Sequence, residues 1–120
     1  MSEKGCVLVC VTRQRECARL IDRGREEAAR LHTPLHVIHV GDGKSMLGNP
    51  DAAEALNYLF SLAHEADAEM NILSGADVPA VIADYARRES ACMLLLGTDR
   101  TGIFQKLQIL LPETEIVICP

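Results

Sequence analysis

Stretches of consecutive apolar residues alternate along the chain with stretches in which apolar residues recur at helical spacing. Two of the apolar runs, Cys6–Val11 and Ala91–Leu96, contain no polar side chain. Such runs are typical of strands that are buried on both faces of a parallel sheet. We predict three further strands at Leu35–Val40, Met70–Leu73 and Ile116–Cys119.

The segments between the strands have the three- and four-residue apolar spacing of amphipathic helices. Thr12 is the predicted N-cap of the first helix, which pairs Arg23 with Glu27 and Glu26 with Arg30 on its outer face. The predicted inward stripes are Cys17, Leu20, Ile21, Gly24, Ala28 and Leu31 in the first helix, Leu56, Leu59, Phe60 and Ala63 in the second, Val78, Val81, Ile82, Tyr85 and Ala86 in the third, and Ile103, Phe104, Leu107, Leu110 and Leu111 in the fourth. Five strands alternating with four helices predict one domain over residues 1–120, an α/β fold in three layers with a doubly wound, five-stranded parallel sheet.

Composition removes several classes of protein. A net charge of -5 and a pI near 5.3 argue against nucleic-acid binding, which needs a basic face. No apolar run approaches the roughly 18 residues of a membrane span, so we expect no membrane partner. The 5 cysteines form no C-x-x-C pair, and the N-terminus has no apolar signal segment. We therefore expect reduced thiols and a cytoplasmic location.

No motif for catalysis or metal binding is complete. Gly41–Ser45 ends like a phosphate-binding loop, but Ile38 stands where its first glycine is required. His36 and His39 are an odd number of residues apart on one strand, so they point to opposite faces and do not share a metal. No nucleophile with a base is recognisable, and the sequence therefore predicts a protein that is not an enzyme.

Ligands of parallel α/β sheets bind beyond the carboxyl ends of the strands, so the segment Gly97–Gly102 is the first place to expect a site. Arg13 and Arg15 fall in the first turn of a helix, where the helix dipole disfavours cations. Two interpretations remain open. The arginines are either solvated surface residues or part of an anion site that includes the free N–H groups of the helix start.

Several short motifs, in their order and spacing, resemble the universal stress protein family across essentially the whole chain. They are Val7–Thr12, Leu35–Val40, Gly75 followed by Ile82–Ala86, and Met93–Gly97. Within that family, Val11–Gln14 with Cys17–Ile21 is most similar to the stress-protein module of potassium-sensing histidine kinases. The resemblance implies the sheet order 3-2-1-4-5, with a switch point between the strands that end at Thr12 and Gly97.

The chain departs from this family at the phosphate loop. ATP-binding members carry G-x-x-G after the fourth strand and a third glycine further on. Here Gly97 matches the first position, Arg100 occupies the second, and Arg13 replaces the family's acidic residue. We expect ATP to bind weakly or not at all in the usual mode, with Arg13, Arg15 and Arg100 supplying charge instead. The ligand-binding residues implied are Val11, Thr12, Arg13, Arg15, Val40, Gly41, Gly97, Thr98 and Arg100.

The expected function is a non-enzymatic stress-response or signalling module that binds a nucleotide (ATP, AMP or a cyclic dinucleotide) or another small anion, with a signalling protein as a further partner. The alternative is an interaction or assembly domain that has lost its ligand. No metal is expected.

The last strand gives an expectation about assembly. Because the chain ends at Pro120, we expect an apolar edge strand with no later strand to cover it. Relatives of the resembled family often dimerise through this strand, which implies a homodimer with an interface at Glu115, Ile116, Val117, Ile118 and Cys119.

Overall fold

Five strands alternate with four helices in the computed structural model, which describes residues 5–11, 14–41, 50–97 and 102–119. In chain order they are β1 (Cys6–Val11), α1 (Gln14–Leu31), β2 (Leu35–Gly41), α2 (Pro50–Glu65), β3 (Glu69–Ser74), α3 (Val78–Arg88), β4 (Ala91–Leu96), α4 (Ile103–Leu110) and β5 (Glu115–Ile118). All four strand pairs are parallel, and the sheet order is β3-β2-β1-β4-β5. The predicted fold class and strand order are confirmed.

The sheet separates two hydrophobic cores, because successive residues of a strand point to opposite faces. One core lies under α3 and α4 and the other under α1 and α2. β1 contributes to both: Cys6, Leu8 and Cys10 to the first, and Val7, Val9 and Val11 to the second. Each of these six residues is at most 4% exposed, as predicted for a doubly buried strand.

α1 packs closely on the sheet at Gly24. A β-carbon there would lie 2.5 Å from Cγ2 of Val9 and 2.9 Å from Cδ1 of Leu35. Both distances are shorter than carbon atoms tolerate, so the missing side chain sets the distance between α1 and β1. Leu20, Ile21 and the other described positions of the predicted stripe face the core as expected; Cys17 lies outside the side chains that the structure describes.

The helix surfaces differ from the predictions at two places. Phe60 is 45% exposed, although it was predicted to face inward. The buried side of α2 runs through Leu62 and Ala63, and at about 100° per residue Phe60 lies roughly 110° away from its centre. On α1 the Nε of Arg30 donates to Glu27 at 2.9 Å, so the predicted pair with Glu26 is wrong.

Glu27 is the shared acceptor of this arrangement, because Arg23 also donates to it at 3.1 Å, as predicted. Hydrogen bonds from its two arginine partners lower the pKa of the Glu27 carboxyl, and Arg30 has the larger effect. Exposed pairs of this kind contribute little to stability.

The turns that lead into β2, β3 and β4 share one backbone conformation. His32, Asp67 and Ser90 have φ values of 58°, 57° and 57°, in the left-handed region. The turns after α1 and α2 also share a backbone hydrogen bond that spans five residues. In the first turn the N–H of Thr33 donates to the carbonyl of Ala28 at 3.0 Å, and in the second the N–H of Ala68 donates to the carbonyl of Ala63 at 2.9 Å. These bonds satisfy carbonyls at the helix ends.

A small polar cluster lies inside the core under α3. The Tyr85 hydroxyl is 2.8 Å from Nδ1 of His36 and accepts a hydrogen bond from Nδ2 of Asn71 at 2.9 Å. Asn71 donates to Glu69 as well, at 3.1 Å. Tyr85 and His36 are 5% and 8% exposed, and both hold partners, as buried polar groups require.

None of the helices in the described segments combines the length and the apolar composition needed to span a bilayer.

Replacing Gly24 by alanine tests the approach of α1 to the sheet. At an open helix position this change stabilises by about 1 kcal/mol. Here the new methyl group meets the stiff Val9 side chain, and we expect the free energy of unfolding to fall by about 1–3 kcal/mol in urea denaturation. In a Val9→Ala background, which removes the contacted methyl, the same change should cost much less. Equal costs in the two backgrounds would contradict this account.

Replacing Tyr85 by phenylalanine tests the polar cluster. The change leaves the ring of His36 without its partner, so we expect a loss of about 1–3 kcal/mol in the free energy of unfolding. Tyr58, which is 42% exposed, provides the matched control, and Tyr58→Phe should have almost no effect. Similar losses in both variants would show that the buried hydroxyl contributes nothing.

The same variant tests a pH dependence. Burial is the main cause that raises the pKa of Tyr85 to about 12 from the ordinary 10.0. The unfolded chain therefore releases this proton first, and the wild-type protein loses stability as the pH rises from about 10 to about 12. Burial acts in the same direction on Cys6, whose pKa is raised to about 12. Tyr85→Phe should flatten the decline in part, leaving the contributions of the buried thiols of Cys6 and Cys10.

Candidate functional site

The carboxyl ends of the three central strands meet at one edge of the sheet. β1 ends at Val11, which is paired with His39 of β2, and Cys10 is paired with Leu96 at the end of β4. The order of strands reverses here, since β1 leads through α1 to β2 on one side and β4 leads through α4 to β5 on the other. This is the switch point at which parallel sheets open a crevice for ligands.

Four of the predicted ligand-binding residues lie at this edge. Val11 and Val40 are 1% and 9% exposed and belong to the cores on opposite faces of the sheet. Gly41 is the last residue of β2, and Gly97 follows β4 and is partly exposed. The structure thus places these four residues at the switch point, and their role in ligand binding stays a prediction.

The other five predicted residues are only partly covered by the structure. Thr12, Arg13, Thr98 and Arg100 lie outside the described residues. Arg15 lies in the first turn of α1, and its side chain is not among those described. The predicted convergence of the arginines at this edge stays a prediction.

His39 is a polar side chain at this edge that sequence reasoning did not assign to the site. Its Nδ1 lies 2.9 Å from the carbonyl oxygen of Val11, across the β1–β2 pair. The sequence predicts that His36 and His39 face opposite sides of the sheet, and the structure places His36 on the side of α3, against Tyr85. The register between β1 and β2 places His39 beside Val11, the last residue of β1, and this register was not predicted from the sequence.

A groove of about 340 Å³ runs between α1 and the end of β5. Its charged lining alternates along the helix, with Arg19 and Arg23 interspersed with Asp22 and Glu26, and its floor includes Ile118 and Cys119. The two positive and two negative charges balance, so this groove does not select an anion by net charge.

Among the residues that the structure describes, no three His, Cys, Asp or Glu side chains are grouped so that they could hold a metal ion. Cys6, Cys10, Cys92 and Cys119 are free. Burial raises the pKa of the Cys10 thiol far above its ordinary value, so this thiol stays protonated in the core.

Solved structures share this architecture. A universal stress protein from Archaeoglobus fulgidus superposes with a TM-score of 0.69 and 20% identity, over 97% of this chain and 98% of that one. The structure of the universal stress protein from Archaeoglobus fulgidus in complex with dAMP gives 0.70 and 21%, over 96% and 97%. A universal stress protein in complex with cAMP gives 0.67 and 17%, over 98% of each chain. At these identities the likeness concerns the fold.

Sequence comparison is more specific. The sensor protein KdpD of Mycobacterium tuberculosis is 33% identical over 101 residues, which is 84% of this chain. The chain spans only 12% of the length of that protein. The model of the universal stress protein family matches residues 6–110. Strand order, switch point and sequence agree, and the chain belongs to the universal stress protein family.

Proposed function

We propose that this protein is a non-enzymatic signalling or stress-response module that binds a nucleotide or a similar small anion at the switch point. The observation that carries the proposal is the position of Val11, Gly41 and Gly97 at one sheet edge, where the chain leaves β1 toward β2 and leaves β4 toward β5. Two neighbours of the same fold were solved in complex with dAMP and with cAMP. The likeness to part of KdpD supports a signalling context with a protein partner.

Side-chain charge is the second element of the proposal. We infer that Arg13, Arg15 and Arg100 surround the ligand, because the sequence places them next to the ends of β1 and β4. Guanidinium groups bind phosphate oxygens in a bidentate manner. They take over the role of the glycine-rich backbone, which this chain lacks at Arg100. The proposal includes a cytoplasmic location, consistent with free cysteines at the four described positions.

Calorimetry with AMP, ATP, a cyclic dinucleotide and sulfate tests this function. We expect ATP to bind no more tightly than AMP, because no glycine loop is present to enclose the outer phosphates. The variant Arg13→Ala/Arg100→Ala should lose affinity at least about a hundredfold, since each of the two lost hydrogen bonds to a charged group contributes about 1.5–3 kcal/mol.

A charge-matched control separates a local site from general attraction. Arg25→Ala/Arg30→Ala removes the same charge from ion pairs on the outer face of α1, where the side chains are 58% and 61% exposed. This variant should bind like the wild type. Equal losses in both variants would refute the arginine site. If none of the ligands binds the wild type, the protein is instead the ligand-free interaction domain.

We also propose that β5 joins two copies of the chain into a homodimer. β5 lies at the edge of the described sheet and pairs with β4 on one side. The N–H of Cys119 donates to the carbonyl of Leu96 at 2.7 Å, so it points toward β4. Because backbone groups alternate along a strand, the N–H groups of Ile116 and Ile118 point away from the sheet. They are free to pair with a second β5, which closes a two-fold dimer.

Replacing Ile118 by proline removes one outward donor and leaves the pairing with β4 in place. Proline is tolerated on an edge strand at a residue whose backbone N–H faces away from the sheet. We expect the wild type to have twice the monomer mass in light scattering and Ile118→Pro to be a folded monomer. Ile118→Ala, which keeps the N–H group, should remain dimeric. A wild type that is monomeric at high micromolar concentration would contradict the proposed dimer.

A further inference from the structure

His39 is held at the carboxyl edge of the sheet by one of its two ring nitrogens. Nδ1 lies 2.9 Å from the carbonyl oxygen of Val11. A carbonyl oxygen accepts hydrogen bonds and does not donate them, so Nδ1 must carry the proton. In the neutral ring the other nitrogen, Nε2, is then a lone-pair acceptor. The strand pairing thus fixes both the orientation and the tautomer of this side chain.

The second nitrogen, Nε2, has no hydrogen-bond partner among the described residues, and the side chain of His39 is partly exposed. Within the described part of the chain, the side-chain atom that is both buried and unpaired is the hydroxyl of Thr33, so Nε2 is not enclosed in the core. His36 differs in this respect, because its ring is buried and Nδ1 contacts the Tyr85 hydroxyl inside the core.

We propose that His39 is a ligand-contacting residue that selects a nucleoside phosphate over a simple inorganic anion. The inference rests on the proposed function, because it assumes that the ligand occupies the switch point. Nε2 accepts a hydrogen bond from a ribose hydroxyl or an exocyclic amino group of the ligand. Sulfate has no such donor, and its oxygens would meet the lone pair unfavourably. His39 therefore recognises the nucleoside part of the ligand and not its anionic part.

Replacement by asparagine separates the two nitrogens. In His39→Asn the amide nitrogen is placed like the histidine Nδ1 and keeps the donor to Val11, while no atom replaces Nε2. We expect His39→Asn to retain the wild-type melting temperature and sulfate affinity, and to bind AMP about threefold to tenfold more weakly, the loss typical of one hydrogen bond. His64→Asn, the same change at an exposed position in the last turn of α2, should leave all these values unchanged.

Nitrogen NMR of the ligand-free wild type provides an independent measurement. The coupling pattern of the His39 ring should identify Nδ1 as the protonated nitrogen, and added AMP should shift the Nε2 resonance. A proton on Nε2 alone, or AMP affinity unchanged in His39→Asn, would overturn the inference while the proposed function stands. A wild type that binds no nucleotide would overturn both, and the tautomer would then report only on the strand pairing.

Discussion

The burial of β1 from both sides is the constraint on which the rest of the structure depends. Val7, Leu8 and Val9 have no measurable exposure, so two different sets of helices must cover this strand. A strand with no solvent face has to lie in the middle of its sheet, and the chain can reach its neighbours only through helices that cross over one face or the other. The reversal of strand order beside β1 follows from this arrangement, and with it the crevice at the carboxyl edge.

Gly24 determines how closely α1 packs on β1 and β2. The nearest atoms to its absent side chain belong to Val9 of β1 and Leu35 of β2. α1 therefore rests almost directly on β1 and β2. The absence of a side chain at this position sets the distance between the helix and the sheet.

Most of the fold could be predicted from the sequence because it depends on local pattern. The apolar run at Ala91–Leu96 needs burial wherever it lies, and five of its six residues are buried, whereas Cys92 is exposed. The prediction for Phe60 was wrong because the burial of a residue depends on its position around the helix as much as on its hydrophobicity. Contacts between segments that are distant in the sequence could not be predicted, for a different reason. The bond from His39 to Val11 joins residues 28 positions apart, and only the strand register brings them together.

The turns at the opposite edge have a consequence for how such a protein diverges. His32, Asp67 and Ser90 repeat one left-handed conformation in three connections, although none of them is glycine. Each connection is short and follows directly from the preceding helix. The amino edge of the sheet therefore repeats the same left-handed φ value in three places. A side chain in the left-handed region is tolerated when it is small or polar and is strained when it is β-branched. The backbone conformation of these three turns therefore restricts which residues can replace His32, Asp67 and Ser90.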